Sequence, residues 1–228
     1  MKKLLAALAV ALITLTGCGH ESRLDKAKEA NLKHLALTFS ELPDGTFNIP
    51  DNWTSMTEER ITLRLPAEPF EAEPLNGRKY GFKSDDAEGE VFFNFDVENS
   101  NSGFQALIDK NGKSYKKAFR KFGLEFDGTP RSLWKNAILV TDENIMNASE
   151  KTKSDLSALG AMFLSFDKAY DVEGNVSEQF VFHMAEGLGY DYCVYFFGDE
   201  NVEGIMYVNC TDKDTALRIA ATADIAND

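Results

Sequence analysis

The apolar and polar positions of this 228-residue chain change period several times, and each change predicts an element. After two lysines, an apolar run interrupted only by Thr14 fills residues 4–15. It is too short to cross a bilayer, which takes about 20 residues. Leu32, Leu35, Ala36 and Phe39 then recur at helical spacing, behind Ser22 and Asp25 as a cap and its partner, so a helix is expected over 23–40. Residues 42–52, LPDGTFNIPDN, are turn formers. Period-two alternation follows in ITLRLP (Ile61, Leu63, Leu65), RKYGFK and EVFFNFDV (Val91, Phe93, Phe95, Val97), three expected strands. A surface loop carrying Pro66, Pro69 and Pro74 and the acidic turn SDDAEGE connect them.

The middle of the chain returns to helical spacing, with Phe104, Leu107, Ile108, then Tyr115, Ala118, Phe119 and Phe122. Asn111-Gly112 is expected to divide it into two helices, with Ser114 capping the second and Gly123 ending it. A strand is expected near residues 134–141, and DENIMNASEKTKSD reads equally as loop or helix. LGAMFLSFDKAY, VSEQFVFHMA and DYCVYFFGDENVEGIMYVNC form an antiparallel meander, and TDKDTALRIAATADI a last helix boxed by Thr211 and Asp214. The order predicts an α+β fold: a mostly antiparallel sheet backed by helices on one face, with an N-terminal and a C-terminal helix.

Composition sets the compartment. The Lys2-Lys3 start, the apolar run and Leu15-Thr16-Gly17-Cys18 have the order of an export signal. The last four residues resemble the lipobox of bacterial lipoproteins. That resemblance implies removal of residues 1–17, acylation of Cys18 and a short anchor segment 18–22; the length that remains suits a single α+β domain over 23–228. With Gly19 rather than Asp after the cysteine, it also implies the outer membrane, facing the periplasm, as the destination. The chain after Gly17 carries 22 basic against 37 acidic residues, so no nucleic-acid partner is expected.

In an exported chain the other two cysteines are disulfide candidates. If Asp199 faces Gly204 in the last hairpin, Phe197 faces Met206, Tyr195 faces Val208 and Cys193 faces Cys210, all on one side. That register predicts a Cys193–Cys210 disulfide.

Candidate chemistry is sparse. His20, His34 and His183 come with no H-E-x-x-H or C-x-x-C spacing, so no metal or cofactor is expected, and His183 reads as an edge or surface histidine. Ser114/Lys117 and Ser132/Lys135 are S-x-x-K matches without a K-T-G. DKNGKSYKKAFR departs from a calcium loop at Lys113, Ser114 and Arg120. Asp85, Asp86, Glu88 and Glu90 read as a solvated turn. The strongest anomaly has the opposite sign: Lys110, Lys113, Lys116, Lys117, Arg120 and Lys121 fall within twelve residues of an acidic protein, largely on the face of the expected second helix opposite Tyr115, Phe119 and Phe122, a candidate patch for an anionic partner.

The element order, with F-x-I-P-x-x-W at Phe47, Ile49, Pro50 and Trp53, resembles the PsbP-like α/β sandwich. That resemblance implies a binding or assembly role and transfers no catalytic residue. The expected function is therefore a lipid-anchored cell-envelope protein with a non-catalytic binding or assembly role. Its partners would be the membrane, through the N-terminal lipid, and another envelope protein or an anionic lipid or cell-wall group. The alternative is an envelope hydrolase built on carboxylates, whose convergence in space a sequence does not display.

Overall fold

In the computed structural model, which describes residues 28–35, 37–72, 78–173, 178–198 and 200–225, the strand segments assemble into two sheets. Strands β3 (Phe70–Ala72), β4 (Arg78–Lys83), β5 (Glu88–Asn94), β6 (Phe166–Glu173), β7 (Glu178–Met184), β8 (Tyr192–Phe197) and β9 (Val202–Cys210) form the larger one. Their order is β3-β4-β5-β9-β8-β7-β6, every neighbouring pair antiparallel. The smaller sheet pairs β1 (Thr54–Glu58) with β2 (Ile61–Leu65), and β2 with β10 (Asp224–Ile225). Helices α1 (Glu98–Lys121), α2 (Pro130–Leu139), α3 (Asp142–Met146) and α4 (Glu150–Gly160) lie between β5 and β6 in the chain, and α5 (Lys213–Thr222) follows β9.

Side chains alternate along each strand, so one sheet feeds two cores. Val194, Phe196, Met206 and Val208 point to the side where Ile61, Leu63 and Leu65 of the small sheet and Ala216 and Leu217 of α5 close over them. Phe180, Phe182, Cys193 and Phe197 point to the other side, against Phe104, Phe119, Trp134 and Leu159 of α1, α2 and α4. The fold is α+β as expected, but helices cover both faces, since α5 joins the small sheet. Strands sandwiched in this way read as continuous apolar runs such as YCVYFF, in which alternation no longer marks an inside and an outside.

Several elements differ from the sequence reading for identifiable reasons. The WKNAILV segment is helix α2, not a strand: the Thr129 side chain accepts from the Ser132 amide and Pro130 occupies the first turn, a strong start signal. Helix α1 runs unbroken through Gly112, because an interior glycine costs only about 1 kcal/mol and the buried stripe of Phe104, Tyr115, Ala118 and Phe119 outweighs it. Ser114 is therefore not a cap, and its hydroxyl donates to Asp155 of α4. Gly123 does end α1, with φ at 77°. Near the N-terminus, residues 28–33 are helical, and the expected start at residue 23 lies outside the described residues. The expected continuation to residue 40 is replaced by a turn, after which Phe39 bridges Ala169 of β6 and packs 5.5 Å from Phe180.

The C-terminal helix is capped by Asp212 rather than Thr211, whose hydroxyl accepts from the Glu88 amide instead. Hydrogen bonds from the Thr215 side chain and amide hold the Asp212 carboxyl below its ordinary range. A carboxylate depressed in the folded state stabilises fully above its unfolded pKa, and that contribution disappears as pH falls through the folded value. Asp212→Ala is expected to cost about 1 kcal/mol at pH 7, with the gap to wild type closing in urea titrations repeated as pH falls below about 4. An unchanged gap at acidic pH would assign the loss to something other than the ionised cap.

The expected disulfide is corrected by the strand register. Cys193 faces Tyr207, Val194 faces Met206 and Tyr192 faces Val208, with a shift between Phe196 and Phe197. The offset from the expected pairing is odd, which puts the two thiols on opposite faces. Cys193 lies in the helix-side core and Cys210 in the core shared with α5, each a buried free thiol. Burial drives both thiols above their ordinary pKa. Unreduced protein is therefore expected to take no iodoacetamide on either residue while folded, and one adduct on each in urea. Urea-resistant masking relieved by reductant would restore the disulfide.

Candidate functional site

Helix α1 is built as a two-sided element. A 24-residue helix is about 36 Å long. One side is fixed by packing: Phe104 meets Trp134 of α2 edge-on at 5.3 Å, Phe119 meets Phe126 at 5.7 Å, and Ser114 bonds Asp155. The sequence repeat then leaves Lys110, Lys113, Lys116, Lys117, Arg120 and Lys121 on the opposite side, all exposed. The structure thus gathers the six basic residues expected to form a patch. Among the described residues, none of the six has an ion-pair partner. Asp109 is the single carboxylate between residues 99 and 124, and it accepts from Gln105 at 2.8 Å.

Many basic residues elsewhere are neutralised locally. Lys79 pairs with Glu90 at 2.5 Å, Lys83 with Glu88 at 2.6 Å and Lys213 with Asp191 at 2.5 Å. Arg131 and Lys135 of α2 both hold the nearly buried Glu178 carboxylate of β7. On α1, by contrast, like charges are stacked at three- and four-residue spacing: 110/113, 113/116, 113/117, 116/120, 117/120 and 117/121. Each such pair destabilises an isolated helix by roughly 0.2–0.5 kcal/mol. The face carries an electrostatic cost that an anionic partner would relieve, and Arg120 and Lys121 in the last turn recover part of it from the helix dipole.

Among the described residues, carboxylate chemistry has one well-buried representative, which the sequence reading missed. Glu58, at the end of β1, is 4% exposed, and its two oxygens accept from Arg78 and from the Tyr80 hydroxyl of β4. The bond to Glu58, with burial behind it, raises the Tyr80 phenol. With both oxygens engaged, this carboxylate clamps the small sheet to the large one. No sequence signal announces it, since the partners sit on different sheets twenty residues apart.

The remaining candidates are dispersed. Ser132 accepts from the Asp127 amide while Lys135 reaches Glu178 and Asp171, and Ser114 donates to Asp155 while Lys117 is exposed, so among the described residues neither S-x-x-K match shows a serine–lysine bond. His183 bonds Asp167 through Nδ1 at 2.5 Å and meets the Tyr192 ring edge-on at 5.2 Å. A register shift in β6 between Phe166 and Lys168 accompanies Asp167 beside that ring. Asp85, Asp86, Glu88 and Glu90 do not converge, and among the described residues no group of three or more His, Cys, Asp or Glu is placed to hold a metal. Trp53 and Ile49 of the F-x-I-P-x-x-W segment pack on the small-sheet side, whereas Phe47 is exposed. Cys18 and His20 lie outside the described residues. Among the described residues no helix is long and apolar enough to cross a membrane.

In comparisons with protein-family models, curated proteins and solved structures, nothing matches this chain.

Proposed function

We propose that this chain is a lipid-anchored cell-envelope protein that works by binding or assembling an anionic partner through the exposed face of α1. The observation that carries the binding role is the cluster of six cations, kept on one face and without ion pairs among the described residues, in a chain of net charge −13. The anchor rests on the export-signal order ending in Leu15-Thr16-Gly17-Cys18. Gly19 after the cysteine favours the outer membrane, facing the periplasm. The likeness of Phe47, Ile49, Pro50 and Trp53 to the PsbP-like sandwich leans the same way, toward binding.

The test has two parts. Protein extracted from sorted membranes should have a mature mass that starts at Cys18 and includes its acyl groups, in the outer-membrane fraction. Cys18→Ala should leave that fraction. Crosslinking in cells, followed by mass spectrometry, should then recover a partner with wild type that is lost on Lys116→Glu/Lys117→Glu/Arg120→Glu. An N-terminus other than Cys18 overturns the anchor. An unchanged set of crosslinked species overturns the binding face.

A further inference from the structure

Where the tether joins the folded body bears on what the basic face meets. Nine residues lie between Cys18 and Lys28, so ten Cα steps give a reach of at most about 36 Å. The first described residues dock on the helix side: Leu32 and Leu35 are buried in the same core as Phe104, Tyr115 and Phe119 of α1. Their backbone lies against Gly160, where an added Cβ would sit 1.9 Å from the Asn31 carbonyl oxygen. Asp155, which holds Ser114 of α1, is five residues back from Gly160, about 8 Å along the axis of α4. Residues 28–35, where the tether would enter the body, and the basic face therefore belong to one layer of the molecule, while α5 and the small sheet occupy the other.

We infer that the ligand of the α1 face is the anionic surface of the bilayer in which Cys18 is anchored, and that the contact orients the body helix-layer down. This rests on the anchored reading proposed above. Three features select a lipid surface over an acidic protein. Five of the six cations are lysines, solvated point charges suited to many phosphates rather than to one bidentate site. Protein interfaces centre on buried aromatic or aliphatic anchors, and the exposed large apolar residues among the described ones, Phe47, Phe70, Met146 and Leu164, are all outside α1. The face thus has nothing to insert and would rest on head groups. Finally, a tethered body meets its bilayer at high effective concentration, and the acidic remainder of the protein is repelled by the same surface that attracts α1.

The experiment uses the acylated protein reconstituted into phosphatidylcholine vesicles with and without phosphatidylglycerol, and reads lysine acetylation rates by mass spectrometry. Lys113, Lys116 and Lys117 should be protected roughly threefold or more in the anionic vesicles, and the protection should vanish at about 1 M salt. Lys83 and Lys213 should label equally in both. In Lys113→Glu/Lys116→Glu/Lys117→Glu, protection of Lys110 and Lys121 should be lost while the protein stays on the vesicles. Equal labelling of the wild-type lysines in both vesicle types, with the protein retained, overturns the inference and leaves the anchor standing. Protection in intact cells without protection on vesicles also overturns it, in favour of a protein or wall polymer. Protein without acyl mass that floats with neither vesicle overturns the anchored reading and this inference with it.

Discussion

Trp134→Ala is expected to lower the free energy of unfolding by about 4 kcal/mol, the middle of the range for large aromatic truncations. Trp134 is 3% exposed and sits where α2 meets the sheet. Its ring centroid is 4.6 Å from Phe163, 4.9 Å from Tyr195 and 5.3 Å from both Phe104 and Phe182. One side chain therefore joins α1, the turn after α4, β7 and β8, and its removal takes one ring contact from each of four aromatic side chains. For a chain of this length that is a drop of roughly 8–16 °C in Tm. Trp134→Phe should cost much less. The indole Nε1 is buried with no hydrogen-bond partner among the described residues, and an unmet buried donor costs roughly 1–3 kcal/mol that phenylalanine does not incur. Urea unfolding of the two variants checks the order. Equal losses would mean that the indole nitrogen finds a partner in solution and that ring size alone matters.

The same residue shows what the sequence could and could not convey. WKNAILV looks like a strand because five of its seven residues are apolar, and only Thr129-Pro130, upstream of the apolar window, marks the helix start. The class, the antiparallel meander and the terminal helix are legible because their periods persist over many residues. Register is not, because β8 and β9 are apolar on both faces and nothing in YCVYFF penalises a slip. The Cys193–Cys210 pairing came from choosing a register by burial in a hairpin where every register buries apolar residues. The basic face of α1 is legible for the opposite reason: the six residues fall within twelve positions, so helical spacing groups most of them even with a break expected at Asn111-Gly112, and the unbroken helix adds Lys110 to the same side. Glu58 with Arg78 and Tyr80 was invisible, since contact between two sheets is a tertiary fact.

Gly160→Ala is expected to detach the N-terminal segment from the body, at a cost of about 3 kcal/mol or more. A Cβ there would lie 1.9 Å from the Asn31 oxygen, 2.6 Å from its carbonyl carbon and 3.3 Å from the Leu32 amide nitrogen. All three are backbone atoms, so no rotamer change makes room. The segment has to lift, and with it go Leu32 and Leu35, 6% and 0% exposed, each contributing roughly 1.5–3 kcal/mol by burial. Hydrogen exchange should show the amides of residues 28–35 opening, with β7, β8 and β9 close to wild type. Exchange unchanged at 28–35 would mean that α4 shifts instead and that the contact is not the joint between tether and body. The consequence reaches function: with Cys18 still acylated, a lifted segment lengthens the tether and uncouples the helix layer from the bilayer. Gly160→Ala should therefore stay membrane-bound yet lose part of the phosphatidylglycerol-dependent protection at Lys113, Lys116 and Lys117, although it alters no charge on α1.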